Sequence, residues 1–343
     1  MVITVYGAGA IGGTTGAALA RAGHEVVVVD SDAPHVDAIN DRGLTVERDG
    51  VATTTRVRAV TPARLGDKLG LILLAVKSHH TADALRDITP RLAPGGITVS
   101  LQNGLSEELI AQAIGAERTV GCLVNWAADW VAPGRILHGG HGAFVLGELD
   151  GRITPRVREL ARLLSVVEET PVTENIWGYK WAKLIYGALL FGTAVVDAHV
   201  YEVVERSPGV QAALIGIVGE GMAVSDKAGV RLEPFDEFDP AWYRAALGGD
   251  AGARARAMTA IAVHYRFHTK TKTGIWRDLA VRKRKTEVDG QLGVLVRKGE
   301  AFGVAMPLMR QLTELIRDLE DGRRPMAWEN LDPLVALTQG SRP

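Results

Sequence analysis

Short, continuous apolar runs at residues 2–6, 26–29, 71–76, 97–101 and 120–123 are separated by stretches with helical spacing. That pattern predicts buried parallel strands with helices covering both faces of a sheet. Residues 44–60 alternate polar and apolar side chains about Asp49-Gly50, a dipeptide suited to hairpin turns, and predict an antiparallel insertion. The glycine-rich stretch 134–148 reads as a second hairpin, followed by a helix over 154–166 and a short run at 171–173. After Asn175 the period changes. Apolar residues recur every three or four positions over 176–198, 210–228, 252–269, 287–303 and 307–319, which predicts a helical second half. Residues 321–343 show little periodicity and are expected to wrap the surface, and no internal repeat is visible.

Chemistry first appears in Gly7-Ala8-Gly9-Ala10-Ile11-Gly12, between the first strand and an alanine-rich helix. A glycine turn in that setting lets backbone approach a pyrophosphate while the helix N-terminus presents unpaired N–H groups. Gly7 suits the tight turn, Gly9 leaves room for phosphate, and Gly12 permits close helix–strand packing. Asp30 ends the second strand, where a carboxylate accepts hydrogen bonds from ribose hydroxyls and repels a 2′-phosphate. Ser31-Asp32 add a second acid and no base, so NAD is expected over NADP. Two more residues stand just past strand ends, where ligands of such sheets bind: Lys77, for a cofactor ribose or phosphate, and Asn103, for the nicotinamide ribose or a substrate oxygen. For both, helix capping or solvation is the alternative, and Asn103-Gly104 also suits a plain turn.

The architecture expected is α/β: a Rossmann domain, doubly wound about a mostly parallel sheet, over 1–174, an all-helical substrate and dimerisation domain over 175–325, and a tail over 326–343. The junction near 173–176 carries no Gly-, Ser- or Pro-rich linker. With 39 basic and 40 acidic side chains the net charge is −1, which creates no field to attract nucleic acid or anionic lipid. Neither is an expected partner. A single cysteine, Cys122, excludes an intramolecular disulfide and a thiolate metal cluster, and points to the cytoplasm. No basic n-region opens the chain, and no apolar stretch has the length of a bilayer span, residues 184–196 coming closest.

The glycine turn, Ala75-Val76-Lys77, Leu101-Gln102-Asn103-Gly104, Trp181-Ala182-Lys183-Leu184 and Thr286-Glu287-Val288-Asp289 together resemble the ketopantoate reductase family across nearly the whole chain. The resemblance implies a 6-phosphogluconate dehydrogenase-like fold and reduction of a 2-oxo acid by a nicotinamide cofactor. It implies that Lys183 works on the substrate oxygen, that Glu287 helps hold the substrate, that Asn103 serves both cofactor and catalysis, and that Lys77 lies on the cofactor side. Lys183 also has a reading of its own. A lysine beside the apolar stripe of Trp177, Trp181 and Leu184 is open to partial desolvation, which lowers its pKa and suits it to general acid–base work. The alternative is a snorkelling lysine with its head in water, and Lys180 is the nearby decoy.

The chain departs from the family pattern where asparagines usually bind substrate, at Gly187 and Phe191, and around Trp276 and Arg277, where a serine and a glutamine are replaced. The stretch 278–287 is one residue longer than the common pattern. A site that loses two amides and gains a ring and a guanidinium is expected to take a different acid. Arg277 and the run Arg282-Lys283-Arg284-Lys285 suggest an anionic hydroxy or oxo acid, the run having a solvated face or helix-end clamp as its alternative. His264 and His268 share helical spacing without a matching acid or thiol signature, so no metal is expected, and His79-His80 either lines the cleft or starts a helix. The expected function is NAD-dependent hydride transfer on a small 2-hydroxy or 2-oxo acid, in the oxidative direction; for the apolar helical domain a homodimer is the simplest closed arrangement, with a monomer as the alternative. The alternatives are NADPH-dependent ketopantoate reduction and an inactive NAD-binding scaffold.

Overall fold

The computed structural model describes residues 2–267 and 270–339. The chain forms two compact units, Met1–Ile176 and Trp177–Pro343.

The first unit is built on eleven strands: β1 (Ile3–Tyr6), β2 (Val26–Val29), β3 (Leu44–Arg48), β4 (Val51–Thr55), β5 (Arg58–Val60), β6 (Leu69–Leu74), β7 (Leu92–Ser100), β8 (Thr119–Asn125), β9 (Ala128–Ala132), β10 (Arg135–His138) and β11 (Ala143–Glu148). Seven form a sheet in the order β11-β8-β7-β6-β1-β2-β5, parallel throughout except for β11, which runs antiparallel to β8. Side chains alternate across the sheet, so Leu71 and Leu73 join one core and Ile72 and Leu74 the other. The first core is closed by the helices Ala10–Arg21 and Pro155–Leu164, the second by Thr81–Ile88 and Ser106–Ile114. Burial on both faces is why these strands read as continuous apolar runs. Strand order reverses beside β1: β2 and β5 lie on one side, β6 to β8 on the other. The crevice of a doubly wound sheet therefore opens past the ends of β1 and β6.

Both expected hairpins are redrawn. Asp49-Gly50 does turn β3 into antiparallel β4, but residues 58–60 leave the hairpin and join β2 in parallel. Asn40 brackets Ala59 on both backbone groups, at 2.9 and 3.0 Å, and so directs this edge strand to the main sheet. The stretch 134–148 is not a hairpin with itself. β10 pairs with β9 and β3 in a separate sheet of order β4-β3-β10-β9, whereas β11 crosses to β8. The glycines between them allow that separation: a β-carbon at Gly142 would lie 2.0 Å from the Asn125 carbonyl.

The second unit is helical. Its longest helix, Pro208–Lys227, packs closely on Ile176–Thr193 where Gly221 faces Ile185 and Gly192 faces Leu214. Among the described residues this is the one helix with the length and composition of a membrane span, where none was expected. It packs as a core helix: Leu214, Ile217, Val218 and Met222 are buried, and Glu220 caps the helix Pro307–Glu320 by accepting from the N–H groups of Leu308 and Met309, each at 2.8 Å. The expected helix over 287–303 begins later, at Leu292–Phe302, because residues 286–291 are held as a turn. After Glu320 the expected irregular wrap is instead a short turn, Trp328–Leu331, and a helix, Asp332–Gln339, with Leu331 and Leu334 buried. The buried Asn330 amide secures it by donating to the carbonyls of Val195 and Pro325, both at 2.8 Å.

Candidate functional site

In the first unit the glycine turn sits at the point of reversal. Gly7 has φ +101°, a conformation that disfavours a side chain, and a β-carbon there would lie 2.8 Å from the Val76 amide nitrogen. The loops following β1 and β6 thus touch. At Gly12 a β-carbon would stand 1.9 Å from the Gly7 carbonyl oxygen, so the helix Ala10–Arg21 can pack this tightly only with glycine. Gly9 differs: nothing lies within 4 Å of its β-carbon position, so the turn is open on that side. Ala10 and Ile11 follow, half-buried, in the first helical turn, whose N–H groups have no intrahelical partner.

Asp30 is joined directly to this turn. Its Oδ2 accepts from the Ala8 N–H at 2.9 Å and its Oδ1 from the Asp32 N–H at 3.0 Å. Each carboxylate oxygen retains a lone pair for a further donor. The carbonyl of the same residue is held by His35, buried beneath the turn, whose Nε2 lies 2.9 Å from the Ala8 oxygen. Its Nδ1 receives both the Trp130 indole N–H at 3.2 Å and the Gly134 N–H at 3.0 Å. Two donors on Nδ1 place the ring hydrogen on Nε2, which therefore donates to Ala8. No local motif marks His35, because its partners come from β9 and the turn that follows it.

Lys77 is half-buried just past β6, and Asn103 is exposed past β7, before Gly104 at φ +77°. Gln102 ties these loops together, its Nε2 donating to the Val76 carbonyl and to Thr81 Oγ1, both at 2.8 Å. The exposed rings of His79 and His80, 4.1 Å apart, lie in the turn that leads into Thr81–Ile88.

In the second unit the helix Ile176–Thr193 is mostly buried, including Lys180, Trp181, Leu184 and Phe191. Past its first turn the accessible stripe is Tyr179, Lys183, Gly187 and Leu190, at helical spacing. Lys183 is thus presented and the decoy Lys180 is not. Phe191, fully buried, is a core side chain rather than a lining one. Glu287 lies between two anchors: Thr286 donates from its N–H and hydroxyl to Glu320 Oε1, at 2.7 and 2.6 Å, and Asp289 accepts from Arg317 at 2.5 Å. With Val288 buried, Glu287 is left half-exposed between them. Sequence-distant segments meet here, because a β-carbon on Gly187 would lie 3.2 Å from Gln291 Oε1.

The basic run belongs to the unit's own framework. Arg282 and Arg284 both pair with Asp278, at 3.1 and 2.8 Å, and Lys285 reaches Asp321 at 2.5 Å. Trp276 donates to Asp197 at 2.9 Å while Lys272 lies 3.9 Å from its ring centroid, and Arg277 is half-buried on the same short helix, Gly274–Ala280. His264 stands 3.3 Å from Glu237, and His268 lies outside the described residues. Burial, partly offset by the Tyr186 hydroxyl and His264, raises the pKa of Glu237. No group of three or more His, Cys, Asp or Glu among the described residues is disposed to hold a metal.

Residues 3–151 match the family model described as "Ketopantoate reductase PanE/ApbA", and residues 175–320 match its C-terminal counterpart. A 2-dehydropantoate 2-reductase of Mesorhizobium japonicum is 28% identical over 93% of this chain and 98% of its own length. The crystal structure of a PanE/ApbA family ketopantoate reductase from Ralstonia eutropha JMP134 is similar with TM-score 0.79 and 28% identity, covering 94% of this chain and 99% of that one. The ternary structure of a D-mandelate dehydrogenase with NADH and anilino(oxo)acetate shares the fold, with TM-score 0.80, 24% identity and the same coverage.

Proposed function

The chain belongs to the ketopantoate reductase family, and we propose that within it this protein is an NAD-dependent oxidoreductase of a small anionic 2-hydroxy or 2-oxo acid. The observation that carries the cofactor choice is the Asp30 carboxylate, hydrogen-bonded to Ala8 of the glycine turn. A 2′-phosphate there would meet a fixed negative charge, whereas ribose hydroxyls would find acceptors. The open side of Gly9 and the first turn of the following helix suit a pyrophosphate. A bound nicotinamide dinucleotide supplies or receives the hydride. Gly7, Gly9, Ala10, Ile11, Gly12 and Asp30 hold it, with Lys77 and Asn103 beside the same strand ends.

Lys183 acts on the other reactant. Its ammonium donates a proton to the oxygen of a 2-oxo group as that carbon is reduced, and its amine removes the hydroxyl proton in reverse. Glu287, fixed by its anchored neighbours, orients the substrate. NADH-bearing D-mandelate dehydrogenase has the same fold, in keeping with a 2-hydroxy acid substrate. The names of the relatives favour ketopantoate itself as a second reading, against which stand Gly187 and the buried Phe191. A panel of 2-oxo acids that includes ketopantoate, assayed with both cofactors, tests the proposal. NADH is expected to exceed NADPH in kcat/KM by about tenfold or more, one to two hydrogen bonds' worth. A clear preference for NADPH would overturn the cofactor assignment, and ketopantoate as the best acid would establish the second reading.

A further inference from the structure

Gly187 occupies the accessible stripe of its helix one turn beyond Lys183. The Oε1 atom of Gln291 reaches to 3.2 Å from the point where a β-carbon on Gly187 would stand, closer than an ordinary side-chain contact. The missing side chain at 187 is therefore what admits the Gln291 carboxamide to this face. Gln291 arrives from the other functional segment: its N–H donates to the Glu287 carbonyl at 3.0 Å, which sets it one turn after Glu287 at the head of the helix Leu292–Phe302. The residue is half-buried, and its carboxamide makes no hydrogen bond to another described residue.

We propose that Gln291 is a specificity-determining residue that binds the organic acid, supplying from a second segment the amide that position 187 lacks. The inference rests on the reading of this unit as the one that handles a 2-oxo or 2-hydroxy acid. A carboxamide suits that substrate class. Its NH₂ donates to a carboxylate or carbonyl oxygen, and its oxygen accepts from a hydroxyl, without adding a charge that would disturb Lys183 or Glu287. The amide reaches across from a different backbone position than one rooted at 187, so it favours an acid of different shape from one fitted to an amide on that helix.

The test uses the full chain with NADH and two probes: the 2-oxo acid turned over best by the wild type, and oxalate, a non-reacting anion titrated by quenching of bound NADH fluorescence. Gln291→Met keeps the length of the side chain and removes the amide, and Gln291→Ala removes both. Each is expected to raise the KM of the acid and the Kd of oxalate about 10- to 100-fold, as for loss of one or two substrate hydrogen bonds, with kcat changed far less and NADH affinity unchanged. Gly187→Asn placed in the Gln291→Ala background returns an amide to the same face and is expected to recover part of the lost affinity. If the wild type works on the acid while both Gln291 variants keep its KM and the oxalate Kd, the assignment of Gln291 is wrong and the functional reading survives. If the wild type neither turns over any acid of the panel nor binds oxalate, both fall together.

Discussion

The two units arrange their chemistry in opposite ways. In the first unit the proposed nucleotide site lies in the main chain of six consecutive residues, at a turn whose shape is imposed by Gly7 and Gly12 and held from either side by Asp30 and His35. In the helical unit the proposed chemistry lies in side chains from two segments remote in sequence, Lys183 on the helix that carries Gly187 and Glu287 one turn before Gln291, and packing brings Gly187 and Gln291 together. Backbone recognition demands particular residue types at adjacent positions and so leaves a compact signature. Side-chain recognition demands only that the right groups arrive at one place, and many sequences meet that condition.

The largest expected effect separates the units outright. Lys183→Ala should lower kcat by about 10³-fold, the scale of lost general acid–base catalysis, while NADH binds as before. Equal losses in turnover and nucleotide affinity would end the division of labour described above. A smaller effect probes the other side. His35→Ala leaves the Ala8 carbonyl and the Gly134 N–H without their buried partner, a cost of about 1–3 kcal/mol per unsatisfied group. It should weaken NADH binding about tenfold through the displaced turn and lower Tm, with kcat at saturating NADH near wild type. His35→Gln should recover part of both, and an unchanged NADH Kd in His35→Ala would show that the turn needs no such support.

The smallest effect concerns how the helical unit holds its own frame. Burial of Glu220 raises its pKa from 4.5 to about 7, against the opposing pull of the Leu308 and Met309 N–H groups. Between those values the folded chain binds more protons at this site than the unfolded chain, so this contribution to stability diminishes as pH rises from about 4.5 to 7 and is level beyond. Thermal melts should show this slope in the wild type and its absence in Glu220→Gln, a difference of a few degrees. Identical pH profiles for the two proteins would remove Glu220 as its source.

Legibility followed the same divide. Five strands of the main sheet, β1, β2, β6, β7 and β8, were visible because burial on both faces demands unbroken apolar runs, and the turn because only glycine satisfies the contacts at 7 and 12. The 134–148 stretch misled because its glycines mark turns without naming the strands they join: β10 and β11 belong to different sheets. The helix Asp332–Gln339 escaped notice because eight residues carry too few apolar positions for a period, and packing secures it. Composition alone does not separate Lys183 from Lys180; the resemblance favours Lys183, and the burial of Lys180 leaves Lys183 the more accessible of the two.

The sequence by itself determined the α/β-then-helical order, the glycine turn, and the acid that follows the second strand, since each depends on neighbours a few residues away or on a regular period. Tertiary structure alone decided that His35 supports the turn, that Arg282, Arg284 and Lys285 of the basic run pair with Asp278 and Asp321, and that Gln291 fills the space Gly187 leaves. Those outcomes depend on which distant segments a packed core brings within hydrogen-bond reach, and no local pattern encodes that distance.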